Sequence, residues 1–335
     1  MTTELKEKFH WPILGHQQIK YYLQLNIEDK AFSHAYLFYG PNDTGKFSMA
    51  YHFTAALLCE SKNSKKPCNN CNSCDQIKKN IHPDVTIVQV QEKKQKISIN
   101  QIRELQHKLS MRSFLTDYKV AIINNAELMT EESSNALLKT LEEPTNNTIF
   151  ILISEHKDLL PATIQSRCQL FQFHLIPNTQ IENWLILHEA TKKDAKIIAH
   201  FSEGRPILAQ KVKDNKFIIE QRNSRLVQLT IILKSNFNDK FQIINQLNKQ
   251  ASSANKQFYT ELIRDWMTFF RDMLLLKNNN KNIYNITVKD QIVKIMYKFS
   301  NAAIINIINK LRTSNQALDQ QANPKLVIEN LVLSM

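Results

Sequence analysis

The chain has 335 residues, of which 43% are hydrophobic and 22% charged, and its formal net charge at pH 7 is +12. This length exceeds an ordinary single domain, so two or three domains are expected. The hydrophobic share excludes a disordered chain, and no apolar run approaches the ~18 residues of a membrane span. The positive charge favours a polyanionic partner such as nucleic acid, although a composition rich in Lys, Asn and Ile explains it equally well.

The first residues, MTTELKEKFHW, contain no apolar core of a signal peptide. We therefore expect a soluble, cytoplasmic protein with no membrane partner. Glycine is scarce, so each one should mark a place where the backbone requires it. The four glycines are Gly15, Gly40, Gly45 and Gly204.

Strand and helix patterns alternate along the first half of the chain. Residues 35–39, AYLFY, form an apolar run that predicts a buried strand, and helical spacing over 47–58 predicts a helix after it. Alternation of this kind indicates an α/β domain with a parallel sheet over residues 1 to about 175. The other predicted elements are strands at 85–90, 120–123 and 148–154, the last of the sheet, and a helix at 131–141 that ends before Pro144.

The segment GPNDTGKFS, residues 40–48, fits GxxxxGK, a loop whose backbone amides hold phosphates while its lysine reaches the terminal ones. The full motif has Ser or Thr after the lysine, because that hydroxyl binds magnesium, but Phe47 stands there. Ser48 lies ~100° further around the predicted helix and cannot simply replace it. The candidate nucleotide-binding residues of this degenerate loop are Gly40, Gly45, Lys46 and Ser48.

Four of the five cysteines lie within sixteen residues, in the spacing C-x8-C-x2-C-x2-C. In a cytoplasmic chain such a cluster favours a metal over disulfides, and four thiolates complete a tetrahedral zinc site with no open position. The alternative, four cysteines buried as small hydrophobic residues, fits poorly with polar neighbours such as Lys65 and Asn70. We predict a structural zinc ion whose ligands are Cys59, Cys68, Cys71 and Cys74.

The strand predicted at 120–123 ends in Asn124 and Asn125. Phosphoryl transfer needs one carboxylate for the metal and one to activate water at the end of a neighbouring strand, and an amide supplies neither function. With Phe47, three positions of an ATPase are therefore compromised. We predict an inactive ATP site. Binding of ATP or ADP to the loop stays an open alternative, and neither nucleotide is expected to be required as a cofactor.

Helical patterns replace strand patterns after the sheet. Short helices are predicted over 181–213, and long amphipathic helices follow from about residue 215. The clearest apolar stripe indicates the core of a helix bundle. It consists of Phe258, Leu262, Ile263, Trp266, Phe269, Phe270 and Met273.

The string NALLKTLEEP, residues 135–144, resembles a signature shared by motor and delta-prime subunits of the bacterial clamp-loader family of AAA+ proteins, which belongs to DNA polymerase III. The order of other features along almost the whole chain is similar too. These features are the ILGHQ segment around Gly15, the strand and phosphate loop, the cysteine knuckle, His82-Pro83-Asp84, Ser166-Arg167-Cys168, Gly204-Arg205 and the segment NPKLVIENLVL.

This resemblance implies three domains. Residues 1–175 would form an AAA+-type, P-loop α/β domain with the zinc knuckle inserted at 59–74. Residues 176–214 would form a small helical lid, and residues 215–335 an all-α collar that oligomerises. The resemblance also places Arg205 in a nucleotide-sensing region, and it implies that Arg167 is an arginine finger that reaches the ATP site of a neighbouring motor subunit. The alternative for Arg167 is a structural arginine that pairs with Glu142 or Glu143.

Motor subunits of the family have Asp-Glu where this chain has Asn124 and Asn125. Delta-prime subunits commonly have a degenerate ATP site. The resemblance therefore favours the delta-prime (stator) type. The implied partners are gamma/tau-type motor subunits and a delta subunit, in a complex that places the sliding clamp on primed DNA during replication. Two alternatives stay open. One is an active ATPase motor subunit, and the other is a free-standing zinc-containing DNA-binding protein with a steep salt dependence.

Overall fold

A computed structural model describes residues 8–335 apart from 10, 62–64, 93, 144–146, 251–255 and 321. The chain divides into two compact units. The first holds the described residues up to Gln180 together with Arg205–Ile207, and the second holds Ile181–Gly204 and Leu208–Met335. The separation of a lid from a collar at residue 215 stays a prediction. Among the described residues, no helix has the length and apolarity needed to cross a bilayer.

The first unit is built on a five-stranded sheet in the order β2–β3–β4–β1–β5, with all neighbours parallel. The predicted parallel α/β sheet is therefore confirmed, and the four predicted strands are present within a residue or two. The strands are β1 (Ala35–Tyr39), β2 (Val85–Val88), β3 (Lys119–Ile123), β4 (Thr148–Ser154) and β5 (Gln169–Gln172).

The strand β5 is absent from the predicted elements, among which β4 is the last strand of the sheet. Among the strands that the structure describes, β5 lies at the edge of the sheet and pairs with β1. Its residues alternate between half-buried and exposed, with Gln169 and Gln172 at its two ends. An edge strand of this kind lacks the continuous apolar run that marks a buried strand, so the sequence pattern missed it.

Both faces of the sheet are covered by helices. Because side chains alternate along a strand, Tyr36 and Phe38 of β1 face one core, and Ala35 and Leu37 face the other. The helices of the first unit are α1 (Gln17–Asp29), α2 (Lys46–Leu57), α3 (Asn72–Lys78), α4 (Ile99–Ser110), α5 (Glu131–Glu142) and α6 (Ala162–Gln165). The predicted helices at 47–58 and 131–141 are thus α2 and α5, while Pro144 lies outside the described residues.

The second unit is helical throughout its described residues, as predicted. Its longest helix carries the predicted apolar stripe, in which Trp266, Phe269 and Phe270 are fully buried in a single core. Two of its helices, α7 and α9, have their first residues in the first unit. The helices are α7 (Asn178–Leu187), α8 (Lys192–Phe201), α9 (Pro206–Asp214), α10 (Phe217–Ile232), α11 (Phe237–Gln250), α12 (Lys256–Lys277), α13 (Lys289–Met296), α14 (Asn301–Asp319) and α15 (Pro324–Leu333).

A buried charge network ties α10 and α12 to the turn after α8. The guanidinium of Arg222 is 2.9 Å from the Glu203 carboxylate and 3.3 Å from that of Asp265, and it donates to the Thr268 hydroxyl at 2.7 Å. The Arg222 side chain is 4% exposed. A buried guanidinium requires several partners of this kind, so this arginine has a structural role.

Asp84 organises the loop that leads into β3. Its carboxylate accepts hydrogen bonds from the backbone N–H groups of Phe114, Leu115 and Thr116 at 2.6, 2.8 and 2.9 Å, and from the Thr116 hydroxyl at 3.0 Å. Burial opposes the charged form, but these hydrogen bonds outweigh it and lower the pKa of Asp84 below its ordinary value. The carboxylate therefore stabilises the folded loop as an anion.

We expect Asp84→Asn to lower the free energy of unfolding at neutral pH by about 1–3 kcal/mol, because the buried carboxylate is replaced by an amide that cannot make the same charge-assisted hydrogen bonds to the loop. Since the folded-state pKa is lowered, the stabilisation is present above the unfolded Asp pKa of about 3.9 and is lost as the pH falls through the folded-state value. Urea denaturation should show a constant difference near pH 7 that shrinks below about pH 4.

The control is Asp117→Asn, which removes an exposed carboxylate from the same loop. It should change stability by less than ~0.5 kcal/mol. Equal losses in the two variants, or a difference that does not depend on pH, would contradict the role given to Asp84.

Candidate functional site

The phosphate loop leaves β1 at Gly40 and enters α2 at Lys46. Gly40 has φ +136°, and a Cβ there would lie 2.2 Å from the Phe173 carbonyl oxygen. Gly45 directly precedes the helix with φ +97°. Both conformations are strained for any residue with a side chain, so the two glycines of the motif are required by the backbone.

Lys46 is buried, and its ammonium is held inside the loop. The Nζ atom donates to the carbonyl oxygens of Gly40 and Pro41 at 2.6 and 2.7 Å. Burial lowers the pKa of Lys46, while the negative charges of Glu155 and other nearby carboxylates oppose this effect. The lysine of the motif is thus bonded to its own loop.

A cavity of about 250 Å³ lies against the loop. Of the predicted nucleotide-binding residues, Gly45, Lys46 and Ser48 line it, and Gly40 borders it through its bond to Lys46. Arg205 is not among the lining residues, although Ile207 is, and the Ile207 N–H donates to the Asp43 carbonyl at 3.0 Å. The structure therefore brings most of the predicted residues together.

The three substitutions that led us to predict an inactive site meet at this cavity. Phe47, Asn124 and Asn125 all line it. The two asparagines directly follow β3, and Phe47 occupies the first turn of α2 with its side chain 39% exposed. Position 47 therefore offers no hydroxyl to a metal ion, and positions 124 and 125 offer no carboxylate as a metal ligand or a base.

Two carboxylates near this cavity were missed by the sequence analysis. Glu155 directly follows β4 and lines the cavity, where it accepts a hydrogen bond from the side-chain amide of Asn42. The Glu155 N–H donates to Glu127 at 3.3 Å. The signal was available, because β4 is a predicted parallel strand and the residue after such a strand emerges at the ligand-binding edge of the sheet.

The four predicted metal ligands lie in one cluster. All their sulfur atoms are within 4.8 Å of one another, and the Sγ atoms of Cys68 and Cys74 are 4.0 Å apart. A tetrahedral zinc ion with Zn–S bonds of about 2.3 Å places its ligands roughly 3.8 Å apart, so only small adjustments are needed. The donor set therefore fits zinc in a closed, structural site.

Backbone amides already point at these sulfurs. The N–H groups of Cys68, Cys71 and Cys74 donate to the Sγ atoms of Cys59, Cys68 and Cys71 at 3.4, 3.3 and 3.4 Å. Although burial opposes the effect, hydrogen bonds from the backbone of Asn70 and Cys71 lower the pKa of Cys68 to about 6. Such bonds stabilise the thiolates that bind a metal.

Arg167 lies between α6 and β5 at the surface, and its side chain is 33% exposed. Its Nη2 is 2.7 Å from a carboxylate oxygen of Glu142, and its Nη1 donates to the Thr163 carbonyl at 3.0 Å. An exposed ion pair of this kind contributes only about 0–1 kcal/mol. The guanidinium is therefore held in place but can exchange partners at small cost.

Known proteins resemble this chain over most of its length. A family model described as "DNA polymerase III, delta subunit" matches residues 15–177. The DNA polymerase III subunit tau of Bacillus subtilis is 30% identical over 348 residues, which cover 96% of this chain and 60% of that protein. This chain thus spans less than two thirds of the tau subunit. The DNA polymerase III subunit delta' of the same organism is 27% identical over 315 residues, which cover 92% of this chain and 93% of that protein.

A solved structure has the same fold. The DNA polymerase III gamma subunit-related protein of Thermotoga maritima aligns with a TM-score of 0.54 at 16% identity, over 94% of this chain and 97% of that one. At this identity the likeness concerns the fold alone.

We expect protein purified without chelator to contain about one zinc ion per chain, because the cysteine knuckle has no core of its own and metal binding would supply its folding energy. Cys71→Ser should lose most of the metal in elemental analysis and lower the melting temperature. Cys168→Ser, which alters the buried cysteine outside the cluster, should keep the metal. A chain without the four clustered cysteines that retained the same zinc content would refute the assignment.

Proposed function

We propose that this chain is a member of the delta-prime clamp-loader family of DNA polymerase III, and that it is the clamp-loader subunit that does not hydrolyse ATP. Its proposed partners are gamma/tau-type motor subunits and a delta subunit. The assembled complex would open the sliding clamp and place it on primed DNA during replication. Its excess of basic residues suits work beside DNA, and a role in replication would place the protein in the cytoplasm.

The choice between a motor and a non-hydrolysing subunit rests on the cavity beside the phosphate loop. Phe47 offers no oxygen to a magnesium ion, and Asn124 and Asn125 offer no carboxylate at the end of β3. Without a metal ligand and a base at these places, the cavity lacks the groups that position and activate water. This combination supports the delta-prime assignment over an active motor, despite the similarity to a tau subunit.

Arg167 would act in trans, as an arginine finger for ATP bound by a neighbouring motor subunit. A guanidinium is permanently charged and binds two phosphate oxygens at once, which suits the charge that develops in phosphoryl transfer. The partial exposure of the side chain supports this role, since an approaching phosphate could replace Glu142 as its partner. Arg222 is unsuited to such a role because it is buried among its own partners.

The helical part of the chain would hold the subunit in the assembly. We propose that residues 176–214 form a lid and residues 215–335 a collar that binds the other subunits. Apolar side chains such as Phe237 and Phe241 are exposed on α11 at 63% and 43%, and a partner subunit would cover such groups. The zinc knuckle would be structural, and ATP or ADP would not be required.

We expect the isolated chain to release no phosphate from ATP above the level of its Lys46→Ala variant, because the metal and base positions are occupied by Phe47, Asn124 and Asn125. A motor subunit measured in the same assay serves as the positive control. Turnover that persists through purification and disappears in Lys46→Ala would contradict the proposal and favour the motor alternative.

We expect Arg167→Ala to leave folding and assembly intact and to lower DNA-dependent ATP turnover and clamp loading by the complex. Arginine fingers contribute about 10³–10⁵ to the rate at one site, but the overall loss should be smaller because this finger would serve only one of several ATP sites. Arg167→Lys should restore little, since an ammonium cannot bind two oxygens in the same way.

The matched control is Glu142→Gln, which breaks the ion pair within the chain and keeps the guanidinium. A complex carrying this variant should be as active as the wild type, whereas a purely structural role for Arg167 would make the two variants equally defective. If a complex carrying Arg167→Ala kept full ATP turnover and clamp loading, the arginine-finger role would be wrong and the subunit would serve only as a scaffold.

A further inference from the structure

The cavity beside the phosphate loop holds a carboxylate of its own. Glu155 follows β4, lines the cavity together with Lys46, and is fixed by the hydrogen bond from the Asn42 side chain. Asn42 belongs to the phosphate loop itself, so the loop is bonded to an acidic residue at the place where it would otherwise meet an anionic ligand.

The charges around the cavity are unfavourable for a polyphosphate. Lys46 is the one cationic residue among the described residues that line it, and the loop carbonyls already accept hydrogen bonds from its ammonium. Asp43 and Glu155 line the same cavity with negative charge, and Glu127 lies next to Glu155. A nucleotide would therefore bring its phosphates toward more carboxylates than cations.

We propose that Glu155 excludes nucleotides from this cavity, with its carboxylate taking the place of a bound phosphate. The carboxylate accepts the hydrogen bond of Asn42 that a phosphate oxygen would otherwise accept, and it repels phosphates electrostatically. Burial and the charge of Glu127 both raise the pKa of Glu155, because each disfavours its charged form, and the several charges of a polyphosphate would meet the same burial and repulsion.

This inference rests on the proposed function and extends it. The missing metal ligand and base account for a lack of hydrolysis but do not prevent nucleotide binding, because Lys46 and the loop amides are still present. Glu155 accounts for a lack of binding. The loop of such a subunit would keep one conformation whether or not ATP is present, since its polar groups bond to one another.

The test is the binding of ATP with magnesium, and of ADP without metal, to the purified full chain, measured by isothermal titration calorimetry. The wild type should bind both weakly. Glu155→Gln keeps an oxygen that can accept from Asn42 but removes the charge, and it should bind both nucleotides at least about tenfold more tightly. The double variant Glu155→Gln/Lys46→Ala should lose this gain if the phosphates enter the loop.

The matched control is Glu131→Gln, which removes one exposed carboxylate from the first turn of α5 in the same unit and should leave the affinity at the wild-type level. Equal affinities of wild type and Glu155→Gln, or an equal gain in Glu131→Gln, would overturn the inference. Neither result depends on hydrolysis or assembly, so the clamp-loader role would stand. Conversely, if Arg167→Ala did not lower the activity of the complex, the arginine-finger role of Arg167 would be wrong, and the inference about Glu155 would stand.

Discussion

Parallel pairing of β1 with β4 places the residues of the candidate nucleotide cavity together. Tyr39 pairs with Ser154, and the Gly40 N–H continues the hydrogen-bonding ladder by donating to the Ser154 carbonyl at 3.2 Å. The phosphate loop and Glu155 therefore leave the sheet side by side. β3 pairs with the other edge of β4, so the two asparagines that follow it emerge at the same end of the sheet.

The roles of the charged residues follow from where their partners lie. Arg222 is enclosed by partners from its own unit, so the loss of either charge would leave the other buried and unpaired. Among the described residues, Arg167 pairs with one carboxylate, that of the exposed Glu142, and it remains available to another anion. Lys46 and Glu155 are bonded to the loop that they border. Burial and partner number thus separate an arginine that holds the fold from one that is suited to act on a neighbour.

Several features were predictable because they depend on residues close together in the chain. The apolar runs of β1 and β4, the helical spacing of α5 and the apolar stripe of α12 are local patterns, and the structure has all of them. The cysteine spacing is equally local, and the four sulfurs form the predicted cluster. The degenerate phosphate loop belongs to the same class, since each position is defined by its distance along the sequence from Gly40.

Other features depend on which strands become neighbours, which no local pattern states. The edge strand β5 exists because β1 has a free side for pairing, although β5 has no continuous apolar run of its own. Glu155 reaches the phosphate loop, more than one hundred residues away in the sequence, only because β4 lies beside β1. The sequence by itself determined the four buried strands, the helices around them, the cysteine cluster and the absence of catalytic acids at the expected positions. The tertiary structure decided which other charges stand in the cavity, because hydrogen bonding between strands brings together residues that are distant along the chain.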